Sequence, residues 1–142
     1  MPPSTSILVV SGEPTRQKWL VTSVSNFGLQ AACCRTFKRA AGLLRKHSFS
    51  IVFCDDLLPD GTFRMVMDYA ARCGTPMPVI VTSRRDDWDP FLKALNAGAF
   101  DYIAFPPLPG EFERIMRSAL MECRGASTVR QERQRSITQS AA

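Results

Sequence analysis

Short apolar runs of strand length alternate along the chain with longer segments whose apolar residues recur at helical spacing. The runs are Ile7-Leu8-Val9-Val10, a weaker one at Gln30–Cys34, Ile51-Val52-Phe53-Cys54-Asp55, Pro78-Val79-Ile80-Val81-Thr82 and Asp101-Tyr102-Ile103-Ala104-Phe105. A continuous apolar run suits a strand buried on both faces, and strands separated by helical segments pair in parallel. Crossovers between parallel strands are right-handed. The predicted architecture is therefore α/β: a doubly wound, five-stranded parallel sheet with helices on both faces.

The intervening segments carry helix signals. Pro14 to Phe27 places Leu20, Val24 and Phe27 on one face and stops at Gly28. Thr36 can cap a helix with Ala40, Leu43, Leu44 and His47 at helical spacing. Thr62 to Arg72 turns Phe63, Val66, Met67 and Ala70 inward. Asp89-Pro90 reads as a cap followed by proline in the first turn of a fourth helix that ends at Gly98. From Glu111 to about Cys123 the stripe is Phe112, Ile115, Met116, Ala119 and Leu120. Residues 6–123 thus read as one domain, 1–5 as a disordered N-terminus and 124–142 as a polar basic tail.

No apolar stretch of the 142-residue chain reaches bilayer-spanning length, and the N-terminus lacks the basic region of a signal peptide. A cytoplasmic location without membrane association is expected. Five cysteines, none at metal-binding spacing, read as reduced thiols. The net charge of +5 permits an acidic partner, with part of it in Arg124, Arg130, Arg133 and Arg135 of the tail. That tail has no interleaved aromatics and no helix-turn-helix, so direct nucleic-acid binding is not expected. The sole histidine, His47, sits late in the second helix, away from any site at the C-terminal sheet edge. Trp88, between Asp86-Asp87 and Asp89, is either a partner anchor or a ring folded onto the domain.

In open α/β sheets the C-terminal ends of the strands carry the functional site, which places Asp55 there. Pro59 and Asp60-Gly61 follow it in a tight loop. The first turn, Ser11-Gly12-Glu13-Pro14, has neither the glycine triplet of a dinucleotide site nor a P-loop lysine.

Taken in order, Ile7–Val10 before an acidic loop position, Asp55 with Pro59 and Asp60-Gly61, Pro78-Val79-Ile80-Val81-Thr82-Ser83, Asn96-Ala97-Gly98-Ala99-Phe100-Asp101-Tyr102 and Pro106 make the chain similar to the receiver domain of two-component response regulators. The resemblance spans about residues 6–123. It implies the flavodoxin-like strand order 2-1-3-4-5 and a phosphoryl group transferred from a histidine kinase to one aspartate. It further implies a Mg2+ held by that aspartate and two acidic residues after the first strand, and a lysine after the fifth strand on the phosphoryl group. A hydroxyl ending strand four and an aromatic on strand five act as the switch, which alters the face of helix four, strand five and helix five.

By this resemblance Asp55 is the phosphoacceptor, Thr82 and Tyr102 are the switch pair, and Pro106 follows the lysine position. Two positions depart from the pattern. The acidic pair falls on Ser11 and Gly12, with Glu13 one place late, and the lysine falls on Phe105. With Asp55 and Glu13 as weak candidate ligands, and the adjacent Asp56 expected on the opposite strand face, Mg2+ binding is expected to be impaired and no other cofactor is implied. Loss of both positive charges removes most of the electrostatic stabilisation of a transferring phosphoryl group. The expected function is a degenerate, non-enzymatic pseudo-receiver. It would meet a histidine kinase or output partner through the helix four–strand five–helix five face, with a homodimer through that face also open. A conventional phospho-accepting receiver and, in another class, a small flavodoxin-like enzyme are the alternatives. Arg84 and Arg85 are expected to point to solvent; the alternative is a lock in which Arg84 pairs with Asp55 or Glu13 in place of the missing cation.

Overall fold

The computed structural model describes residues 6–74, 77–84 and 95–123. The expected N-terminal and C-terminal tails, Arg85, Trp88 and the Asp89-Pro90 cap lie outside the described residues. The elements in order are β1 (Ser6–Val10), α1 (Pro14–Asn26), β2 (Gln30–Cys34), α2 (Phe37–Lys46), β3 (Ile51–Asp55), β4 (Leu57–Leu58), β5 (Gly61–Thr62), α3 (Phe63–Arg72), β6 (Val79–Arg84) and β7 (Asp101–Phe105). A C-terminal helix occupies residues 111–123, and residues 95 and 96 are helical before the turn at Gly98.

The main sheet has the order β2-β1-β3-β6-β7 and every pairing in it is parallel. β4 and β5 pair only with each other, as a small antiparallel hairpin. Counting the main sheet alone, the order is the 2-1-3-4-5 expected from the sequence. The hairpin was not legible in the apolar pattern, because each of its strands is two residues long and Pro59-Asp60 form its turn.

Strand alternation divides the core into two layers. Leu8, Val10, Val52, Cys54 and Val81 face α2 and α3, where Ala40, Leu44, Phe63, Val66 and Ala70 meet them. Ile7, Val9, Ile51, Phe53 and Ile80 face the other way, onto Leu20 and Val24 of α1 and Phe112, Ile115, Met116 and Ala119 of the C-terminal helix. Phe53 and Phe112 stack with ring centroids 5.6 Å apart. The weak β2 run, Gln-Ala-Ala-Cys-Cys, is the sheet edge, and only Cys34 of its five residues is buried.

The caps fix where the strand-to-helix loops turn. Glu13 caps α1, which starts at Pro14 as expected: its carboxylate accepts from the amides of Thr15 and Arg16 at 3.2 and 2.7 Å. Thr36 accepts from the Arg39 amide to start α2. Asp60, reaching over from the hairpin turn, accepts from the Phe37 and Lys38 amides at 2.7 and 3.0 Å. The loop that follows Asp55 is thereby pinned to α2. His47 is the exposed C-cap of α2, as its place in the sequence suggested.

Candidate functional site

Asp55 ends β3 and lies beside Thr82, its register partner on β6. The parallel strands β1, β3 and β6 bring Ser11, Asp55 and Thr82 to one end of the sheet, as the topology requires. All three are buried, Asp55 to 3% exposure. A carboxylate so far from water needs donors for its lone pairs and a counter-charge. It has both. Oδ2 accepts from Ser11 Oγ at 2.9 Å and from the Gly12 amide at 3.1 Å. Oδ1 accepts from Thr82 Oγ1 at 2.7 Å and pairs with Nη1 of Arg16 at 2.9 Å.

Arg16 is the residue the sequence reading missed. It is 7% exposed, and its guanidinium carbon lies 5.8 Å from the centroid of the Phe105 ring. Phe105 in turn makes an edge contact with Trp19, which makes another with Phe112. The apolar ring at the lysine position therefore forms one wall around a cation supplied by α1. A signal was present: Arg16, Leu20 and Val24 stand at i, i+4 and i+8, so the arginine shares the buried stripe of its helix. Arg16 Nε finds no acceptor among the described residues.

The Arg84 lock is not what the structure holds; the arginine on Asp55 comes from α1. Arg84 is exposed at the end of β6, and among the described residues the ion pair of Asp55 is with Arg16. The first turn of α1 points into the sheet end, whereas Arg84, although still paired with Phe105 in the sheet, is exposed. Glu13 is likewise not part of the pocket chemistry. Its carboxylate is turned to the α1 amides, and the Arg16 amide bond leads the causes that hold its pKa below the ordinary value.

These residues do not fit Mg2+. The ion requires oxygen ligands in near-octahedral array, yet the groups facing Asp55 are two hydroxyls, an amide N–H and a guanidinium, all directed at it as donors. Glu13 is committed elsewhere. Asp56 is half-buried, and burial raises its pKa, the opposite of what a cation ligand needs. Among the described residues no group of three or more His, Cys, Asp or Glu could hold a metal.

The switch-position residues are linked. Tyr102 on β7 is 7% exposed, and its hydroxyl is hydrogen-bonded to Ser83 Oγ, next in sequence to Thr82. A continuous polar path thus runs from Asp55 through Thr82 and the β6 backbone to Ser83 and Tyr102. The Phe105–Pro106 peptide is cis, with Pro106 exposed beyond the pocket.

No family model matches the chain. Its sequence is 28% identical over 113 residues to the response regulator PilR of Pseudomonas aeruginosa, covering 80% of this chain and 25% of PilR. It is 31% identical over 127 residues to the transcriptional regulatory protein KdpE of Mycobacterium tuberculosis, covering 89% of this chain and 56% of KdpE. In structure it is similar to the receiver domain of a sensor histidine kinase from Pseudomonas aeruginosa that holds a magnesium ion in its active-site cleft, with TM-score 0.72, 19% identity, and 82% of this chain and 97% of that one covered. The chain belongs to the response-regulator receiver family. It spans between about a quarter and a little over half of the curated relatives it matches. Within this receiver no helix among the described residues is long and apolar enough to cross a membrane.

Proposed function

We propose that this receiver is a pseudo-receiver, a non-enzymatic signalling module whose Asp55 is occupied by an internal cation instead of a phosphoryl–Mg2+ pair. One observation carries the reading: the Arg16–Asp55 ion pair, closed by Ser11, Gly12 and Thr82. An incoming phosphodonor would have to displace a buried guanidinium from the very oxygen that Thr82 also holds. It would do so without the carboxylates and lysine that ordinarily balance the transferring charge.

The module's output is then contact with a signalling protein, a histidine kinase or a downstream partner, in the cytoplasm. The contact face is proposed to include β7 and the C-terminal helix, to which the Thr82–Ser83–Tyr102 path leads. Self-association through the same face is the homomeric version of that contact.

The test is incubation of the full chain with Mg2+ and acetyl phosphate or beryllofluoride, followed by intact mass and amide shifts. No mass increment and no shifts at Asp55, Thr82 and Tyr102 are expected, in wild type as in Asp55→Asn. An 80-Da adduct lost in Asp55→Asn would establish a conventional phospho-accepting receiver instead.

A further inference from the structure

Between Glu13 and Asp55 the chain contains no acidic residue at all, while Arg16, Lys18, Arg35, Lys38, Arg39, Arg45 and Lys46 are basic. Arg16 is consumed in the pocket. Four of the others lie on α2, all exposed and none ion-paired among the described residues. At 3.6 residues per turn, Lys38, Arg39, Arg45 and Lys46 fall within an arc of about 120°, and the two pairs stand about 10 Å apart along the axis.

Gly42 sits near the middle of that arc. A mid-helix glycine weakens a helix, and nothing in the fold requires this one. Its φ is not in the left-handed region, and a Cβ added there would meet nothing within 4 Å. What the missing side chain does provide is a bare stretch of helix backbone between two pairs of cations. Local electrostatics explain the cations only in part. Arg45 and Lys46 suit a helix C-terminus, and Lys38 lies near the Asp60 carboxylate, but Lys38 and Arg39 stand together in a first turn with no acidic residue of its own.

We infer that this face of α2 is a docking surface for an acidic helix of a protein partner, crossing α2 at Gly42. A small residue at a helix crossing lets two backbones approach closely. The two pairs of cations above and below the crossing would meet carboxylates about two turns apart on the partner. At the far end, Arg72 of α3 joins Arg45 and Lys46 around a cleft of about 410 Å³, where further acidic side chains can be received.

A phosphate backbone fits less well. The free amides at the α2 N-terminus, which would take a phosphate, already bind Asp60 and Thr36. Asp60 is held ionised by those amides, with its pKa below the ordinary value, so a carboxylate bounds the patch where a continuous polyanion would have to pass. The exposed α2 face also has no aromatic ring for base stacking.

The test is a titration of the isotope-labelled full chain, without phosphodonor, using three probes at low salt. They are a stapled helical peptide with glutamates two turns apart, the same composition made non-helical, and a 20-base-pair DNA duplex. The stapled peptide is expected to shift the amides of residues 37–46 and 72 at the lowest concentration. Lys38→Glu with Arg39→Glu should weaken it about tenfold. Gly42→Ala should raise the Tm while weakening the peptide several-fold. No α2 shifts, tighter binding of the duplex or of the non-helical peptide, or a Gly42→Ala chain that is more stable and binds equally well, would each overturn the inference. None of these outcomes depends on whether Asp55 accepts a phosphoryl group.

Discussion

At Asp55 four donors converge on one carboxylate, and Arg16 alone among them carries the balancing charge. Removing one partner of a buried pair costs more than the pair itself contributes, because the other charge is left without compensation. Arg16→Met is therefore expected to lower stability by about 3 kcal/mol in denaturant unfolding, the low end for such a pair since three donors remain on Asp55. Asp55→Asn should cost a similar amount by stranding the guanidinium against Phe105. The double variant should fall short of the sum of the two by at least about 1 kcal/mol; additive losses would show that the two groups do not act as a pair. Asp55, Thr82 and Tyr102 were legible as a set because strand ends in a parallel sheet share one edge. Arg16 was not recognised because its charge argued for solvent while its i, i+4 relation to Leu20 and Val24 argued for burial. The carboxylate it meets comes from a residue 39 positions on, a contact that helical spacing alone does not show.

Among the elements, α2 shows how loops and helices are tied together from outside the helix. Asp60 in the β4–β5 turn accepts from the Phe37 and Lys38 amides, and those two bonds, in that order, hold its pKa below the ordinary 3.8. The sign follows from linkage: the folded carboxylate binds its proton less readily than the unfolded one, so the contribution is complete above the unfolded pKa and disappears as pH falls through the folded one. Between about pH 5 and pH 3 the Tm of Asp60→Asn should fall less steeply than that of wild type; parallel curves would mean that the cap does not contribute. Gly42→Ala belongs to the same helix and should add about 0.5–1 kcal/mol, because the site has room for a Cβ and an ordinary φ. The strands of the main sheet were readable from apolar runs, even β2, where Gln-Ala-Ala-Cys-Cys is an edge with one buried residue. The hairpin was not, since its two-residue strands carry no period. Nor was the Glu13 cap, because glutamate is not a favoured N-cap and its two amide bonds are visible only in three dimensions.

For the molecule as a whole, the same sheet that buries two apolar layers also decides what the domain can respond to. A ligand stabilises a fold only by binding the folded state more tightly than the unfolded chain. A receiver site with a Kd of about 1 mM for Mg2+ would gain about 1.8 kcal/mol at 20 mM, worth several degrees in Tm for a domain of this size. Here the metal would have to compete with a guanidinium already on Asp55 and would find donors where it needs acceptors. Screening acts as well, because a chain of net charge +5 gains some stability from any salt that weakens its self-repulsion. Wild type is therefore expected to show the same Tm in 20 mM MgCl2 as in sodium chloride of equal ionic strength. Arg16→Ala combined with Ser11→Asp vacates the cation position and restores one carboxylate, and is expected to acquire a magnesium-specific increment. Restoring the second at Gly12 would press a Cβ to 3.1 Å from Pro59 Cδ, so the increment should stay below that of a site with both acids. A magnesium-specific rise in the wild-type protein would mean that Arg16 yields its place to the ion. The internal pair would then be a resting state of a working phosphosite, not its replacement.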